Sequence, residues 1–198
     1  MGHSRAEKAK SRERILEAAA SQIRDGGLDS ISIAQLMKAA DLTHGGFYGH
    51  FASRDALLAA ALERALEKGG AAFDAAKRRG TPDSVKSIVN RYLSPAHRDN
   101  PAAGCAIASL APDVGRGDNA EVRRIMRERL DRAFALMTDA MGGGLVARDA
   151  AVSAWCTMVG AIMLSRVFGD QRCGDEILKQ ARRSILDLES RVREGQAR

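Results

Sequence analysis

An all-α fold follows from three observations on this 198-residue sequence. Apolar residues recur at helical spacing in almost every segment, no run sustains the alternation that a half-buried strand requires, and glycine or proline punctuates the periodic segments. The chain is long enough for one large domain, or for a small one joined to a larger one, without disulfide support. About nine helices are expected.

The first helix runs from about Ala6 to Asp25, with Ile15, Ala19 and Ile23 on one face, and Gly26-Gly27 stops it. Ser32 is a good N-cap for a second helix that turns Ile33, Leu36, Met37 and Ala40 inward. A short third helix lies within "LTHGGFYGHF", residues 42–51. Ser53 then caps a fourth, whose stripe of Leu57, Leu58, Ala61, Leu62, Ala65 and Leu66 continues to Gly69-Gly70. These elements form an N-terminal unit, residues 1–70, and residues 71–198 form a second, larger one. The joint is "KRRGTPD", after which Asp83 caps a helix carrying Val85, Ile88, Val89, Tyr92 and Leu93. "SPAHRDNPAAG" reads as a loop. Helices follow over about Cys105–Val114, Ala120–Met141 up to a triple glycine, Arg148–Phe168 and Asp175–Arg193.

The formal charge of +6 suits an acidic partner, yet residues 1–72 hold 10 basic and 9 acidic side chains, so net charge does not locate a site there. The first turns do cluster Arg5, Lys8, Lys10, Arg12 and Arg14 against Glu7 and Glu13; alone, that is a solvated helix face. Three cysteines without CxxC spacing indicate neither a disulfide framework nor a zinc site, which suits a reducing cytoplasm. The longest mostly apolar run, "SAWCTMVGAIMLS", falls short of the roughly 20 residues that span a bilayer, so no membrane partner is expected. His3, His44, His50 and His97 lack ligand spacing, and "HGG" at 44–46 has no G-x-S-x-G elbow to serve, so neither metal, cofactor nor enzymatic activity is expected.

The short third helix poses a question, because three glycines in ten residues each cost about 1 kcal/mol in a helix. Only about three residues around Asp41 separate it from the second helix, which is helix-turn-helix spacing, and Thr43 is placed to cap it. Phe47 and Phe51, at i and i+4, face inward with Leu42, leaving Thr43, His44, Gly45, Tyr48 and Gly49 on the other side. Without Cβ atoms the helix can press its backbone close to a rigid partner such as a DNA groove, held by its phenylalanines rather than by propensity.

The stretch "SISIAQLMKAADLTHGGFYGHFASRDALLAAALE", with its Ser32, Thr43, Gly45 or Gly46, Phe47-Tyr48, His50-Phe51 and Arg54, resembles the DNA-binding domain of the TetR family of bacterial transcriptional regulators. The match covers roughly residues 10–66. Two positions depart from the family pattern: Asp41 stands for the turn glycine, and Met37 for a small alanine. The resemblance implies that Tyr48, His50, Arg54 and Ser32 contact phosphates while Thr43, His44 and Gly45 face base edges. Tyr48 or His50 singly would serve equally well to finish a small core; together, at these spacings, the DNA reading is favoured.

For residues 71–198 the resemblance implies a ligand-binding and dimerising helical domain. Phe73, Tyr92, Cys105, Met126, Met137, Trp155, Met158 and Met163 supply aromatic, thiol and adaptable thioether surface for an apolar or weakly polar effector, although each taken singly fits plain core. The eighth helix is apolar nearly all round and must be covered on more than one side; with the stripe of the ninth it resembles the family's four-helix dimer bundle, with Val159, Ile162, Ile177, Ala181, Ile185 and Leu188 as interface. Cys105 follows Gly104 at a helix start, where the dipole favours thiolate, and some family members use such a Gly-Cys to sense oxidants or electrophiles; the simpler reading is a small buried hydrophobe. The expected function is a homodimeric repressor released from a palindromic double-stranded DNA operator by a small-molecule or electrophile signal. The alternative is a helical interaction or enzyme module with a vestigial helix-turn-helix, against which stands the complete set Ser32, Thr43, Tyr48, His50 and Arg54.

Overall fold

The computed structural model describes residues 5–78, 84–101, 104–168 and 171–196, and the side chains of all of these except 69–78 and 171. Among the described residues there is no strand. The order is α1 (Arg5–Gly26), a 3-10 turn (Leu28–Ser30), α2 (Ile33–Ala39), a 3-10 helix (His44–Gly49), α3 (Arg54–Arg78), α4 (Val85–Tyr92), α5 (Pro95–Arg98), α6 (Ala106–Arg116), α7 (Ala120–Ala140), α8 (Gly144–Phe168) and α9 (Gln171–Gln196).

The expected starts and stops are largely in place. The N–H of Gly27 donates to the Ile23 carbonyl at 2.8 Å and the residue takes φ +81°, the left-handed stop that glycine allows. Ser32 Oγ accepts the Gln35 N–H at 3.4 Å, and Ser53 Oγ accepts the Ala56 N–H at 3.0 Å. Asp41, at φ 56°, takes the left-handed turn position that its side chain tolerates.

Four expectations need correction. The third helix is a 3-10 helix, its N–H groups reaching three residues back as in Gly46 to Thr43 at 3.0 Å; six residues with three glycines do not nucleate an α-helix. The α3 helix does not stop at Gly69-Gly70 but runs to Arg78, since the following "AAFDAAKR" is rich in good helix formers. The segment "SPAHRDNPAAG" contains α5, started by Ser94 as N-cap with Pro95 in its first turn; the His97 N–H donates to Ser94 Oγ at 3.2 Å. Asp83 lies outside the described residues, and Ser84 caps α4 by accepting the Ser87 N–H at 3.2 Å.

α1 packs on α3 and α2 on the 3-10 helix, forming the N-terminal layer. In the rest, α8 pairs with α9 and is covered by α5, α6 and α7, while α4 lies on α9. α6 touches α1, α3 and the Leu28–Ser30 turn on one side and α7 and α8 on the other, so one buried core runs from Ile15 to Val192. The 25-residue α8 exceeds the apolar run read from the sequence and is long and apolar enough to cross a membrane. Its inward side nevertheless packs in the protein core, with Ala147, Ala151, Ala154, Met158 and Ile162 buried there.

Candidate functional site

The His44–Gly49 segment is built from the inside. Phe47 and Phe51 are buried and stacked, ring centroids 5.8 Å apart, and the edge of Tyr48 meets Phe47 at 5.2 Å. That anchoring leaves Tyr48 71% exposed, with Thr43, His44, Gly45 and Gly49 exposed beside it and His50 half-buried. Thr43 makes no side-chain cap, contrary to expectation, and its Oγ1 would stand 3.6 Å from a Cβ built on Gly46. None of Gly45, Gly46 or Gly49 has a positive φ, and a Cβ built on Gly45 or Gly49 would meet nothing within 4 Å. Neither conformation nor internal packing requires glycine at those two positions. Gly46 looks inward, where an added Cβ would stand 3.5 Å from Met37 Cε. Here the buried Met37 fills the contact between α2 and the 3-10 helix.

Flanking this segment are two helix starts. Ser32, half-buried, begins α2, and Arg54, exposed, is the first residue of α3. A cation at a helix N-terminus opposes the macrodipole, typically by about 0.3–1 kcal/mol, so Arg54 is not placed there for stability. The platform is tied together by ion pairs: Arg64 on α3 bonds Glu13 and lies 3.7 Å from Glu17 on α1, and Lys68 bonds Glu17. The hydrogen bond from Arg64 holds the Glu13 carboxyl below its ordinary value. Arg12 stands over the Phe51 ring at 4.9 Å, bringing one member of the basic cluster to the edge of the same face.

A second group of polar residues lies where α4, α5, α6 and α8 meet, and it gathers three of the expected effector residues: Tyr92, Cys105 and Trp155. The edge of Tyr92 meets Trp155 at 5.3 Å and His97 at 4.6 Å, and Trp155 Nε1 donates to the Ala133 carbonyl at 2.8 Å. Cys105, at the start of α6, donates its backbone N–H to His97 Nε2 at 2.8 Å. Since Nε2 accepts, the proton of the neutral ring sits on Nδ1, 2.6 Å from the Tyr92 carbonyl. Burial pulls His97 below its ordinary value, opposed by the Tyr92 carbonyl and reinforced by Arg166. Burial, and then the neighbouring Cys105 thiol, push the Tyr92 hydroxyl well above its own. Arg166 donates to the carbonyls of His97 and Arg98 at 3.2 Å, closing the end of α5. Arg98, only 7% exposed, is held by Asp99 and Asp175 at 2.6 Å each.

The remaining effector candidates are dispersed. Met137 and Met158 are fully buried, and the Phe73 side chain lies outside the described residues. Met126 instead lines a cleft of about 600 Å³ between α6 and α7, with Ala111, Val114 and Leu130 as apolar wall and Arg123 and Arg127 at its rim.

Residues 15–61 match the family of bacterial regulatory proteins named for tetR. Over 184 residues the chain is 27% identical to an uncharacterized HTH-type transcriptional regulator of Mycobacterium tuberculosis, covering 88% of this chain and 94% of the relative. The fold is similar to that of NemR of E. coli in its reduced form, with TM-score 0.72, 19% identity, and coverage of 89% and 95%. It is also similar to a TetR-family regulator of Cytophaga hutchinsonii, with TM-score 0.75, 19% identity, and coverage of 96% and 97%. Its N-terminal segment is a TetR-family DNA-binding segment.

This DNA-binding transcriptional regulator leaves an apolar strip of α8 exposed among the described residues. Ile162 and Ile185 are 0% and 1% exposed and Ala181 is also buried, so these three belong to the protomer's own core. Val159, Ile177 and Leu188 are half-buried. The open side of α8 carries Cys156, Met163, Leu164, Val167 and Phe168, with Val167 at 81%. A helix apolar all round carries no pattern that says which side its neighbours take; only packing on α7 and α9 decides it. The sequence reading also missed His97, Arg98, Arg166 and Asp175, which stand in a presumed loop or on helix faces without motif spacing.

Proposed function

We propose that the protein is a homodimeric, cytoplasmic repressor that binds a palindromic operator through Ser32, Thr43, His44, Gly45, Gly46, Tyr48, His50 and Arg54, and that an effector acting in the C-terminal helices releases it. The observation that carries this reading is the outer face of the His44–Gly49 helix, where Gly45 and Gly49 have no internal reason to be glycine and Tyr48 is exposed. Two glycines on the outside of an anchored turn let its backbone descend to base edges, while Tyr48, His50 and the Arg54 guanidinium reach phosphates on either side. One such segment reads few base pairs, so two copies related by a two-fold axis, about 34–36 Å apart, would read successive grooves. The open strip on α8 supports that pairing.

The effector acts at the Tyr92–Trp155 cluster, either as a bound small molecule or as an electrophile captured by Cys105. Induction is then a preference of the ligand for a dimer whose recognition segments no longer match two grooves, with a coupling of about 1–3 kcal/mol. Selection of duplexes from a random pool, followed by titration of the recovered site, tests the reading. It expects an inverted repeat bound by a dimer, and a protein that enriches no sequence defeats it.

A further inference from the structure

The corner between α1 and α2 is held from outside its own layer. Asp113, near the end of α6, accepts the N–H of Leu28 through Oδ2 at 2.9 Å across 85 positions of sequence, and its Oδ1 receives Arg116 Nη2 at 2.5 Å. The corner is tightly shaped around that carboxylate. Gly27 turns the chain with φ +81°, and a Cβ there would stand 2.5 Å from Asp113 Oδ2, so both backbone and space require glycine. Leu28 and Ile31 are buried on either side of the 3-10 turn, and Ser32, the next residue, starts α2.

We propose that Asp113 is a positioning residue for operator recognition: its carboxylate is the joint through which α6 fixes the corner that aims α2 and the recognition helix. The inference rests on the DNA-binding reading and deepens it by naming the route between the two ends of the molecule. At its other end α6 is held by the bond from the Cys105 N–H to His97. One 11-residue helix is therefore pinned at its start to the buried polar cluster and near its end to the DNA-binding layer. Pro112 lies inside this helix and has no N–H to donate to the Ala108 carbonyl one turn back, leaving the segment that carries Asp113 joined to the preceding turn by one bond fewer to resist a pivot. A displacement at the cluster is transmitted along α6 and must either carry the Leu28 corner with it or break the bond.

The test compares the parent with Asp113→Ala and Asp113→Asn, using the duplex that the parent selects from a random pool and an unrelated duplex at the same salt. Asparagine keeps an oxygen acceptor for Leu28; alanine does not. The alanine variant should bind the selected duplex about tenfold more weakly while its affinity for unrelated DNA stays within about twofold, because phosphate attraction needs no aimed helix. The asparagine variant should stay within about threefold of the parent on the selected duplex. Thermal unfolding of all three, run alongside, identifies plain destabilisation, which lowers binding to both duplexes together. Such a parallel loss overturns the proposal, as does an alanine variant that binds the selected duplex like the parent, or an asparagine variant as impaired as alanine. A parent that selects no duplex removes the DNA-binding reading and the proposal with it.

Discussion

His97 accepts the backbone N–H of Cys105 through Nε2 at 2.8 Å and directs Nδ1 at the Tyr92 carbonyl, so both ring nitrogens are committed in the neutral form. Protonation places a second donor against the Cys105 N–H, beside the Arg166 guanidinium. The folded-state pKa of His97 lies below its ordinary value, so the neutral ring contributes stability that is complete above the unfolded value near 6.5. That contribution is lost as pH falls through the folded value. Thermal stability of the parent should therefore drop as pH falls below about 6.5, and a His97→Gln variant should show a flatter profile there. Parallel profiles would refute the assignment. Glu13, Asp99 and Glu121, held low by Arg64, Arg98 and Arg124, titrate further into acid and do not obscure it.

Arg54→Ala should weaken binding to all duplexes and reduce the magnitude of the salt slope by about 0.9, the signature of one lost phosphate charge. Tyr48→Phe should weaken binding broadly with the slope unchanged, since the residue is neutral, and His44→Ala should alter base preference instead. Unchanged affinities in the Tyr48 and Arg54 variants, with helicity intact by circular dichroism, would remove these residues from the interface.

Gly45→Leu should fold, because a side chain there meets nothing within 4 Å, and should gain a few tenths of a kcal/mol in the short helix. Its operator affinity should nonetheless fall by tenfold or more, the leucine standing between the backbone and the groove. A variant that is more stable and binds as tightly as the parent would show that close approach is not the reason for glycine.

The open strip on α8 predicts which substitutions separate subunits and which unfold them. Leu164→Glu with Val167→Lys should give a folded monomer by sedimentation, both side chains being exposed in the single chain. Ile185→Glu should unfold the protomer, since an unpaired charge in the core costs several kcal/mol. A dimer that survives the first pair would move the interface elsewhere.

Phe47→Ala should cost about 3–5 kcal/mol, as a buried ring stacked on Phe51, and abolish specific binding by releasing the segment that it anchors. Tyr48→Phe, one residue away, should leave the melting temperature within experimental error. Equal destabilisation by the two would mean that the segment is not anchored through Phe47.

Much of the recognition layer was legible because its signals are local. Ser32 and Ser53 are caps read from residue type, Asp41 is a turn position that few other residues accept, and the spacing of Phe47 and Phe51 gives their common direction. What stayed hidden depends on partners distant in sequence. Asp113 has no local pattern that points to Leu28, 85 residues away, and His97 becomes a link only once Cys105 and Tyr92 are folded around it. Helix type was misjudged at residues 44–49 because side-chain direction is similar over one turn of either helix, whereas hydrogen-bond reach is decided by chain length and glycine content.

The unbroken course of α3 from Arg54 to Arg78 gives the molecule leverage. At 1.5 Å per residue its 25 residues form a rod of roughly 37 Å, so a rotation of only about 5° about its far end sweeps Arg54 through roughly 3 Å. That is close to the 3.4 Å rise of one base pair of B-DNA, so a tilt too small to disturb most side-chain packing shifts the end of α3 by one step of the double helix. Had the helix ended at Gly69-Gly70, the arm would be about a third shorter and the same tilt would fall short of that step.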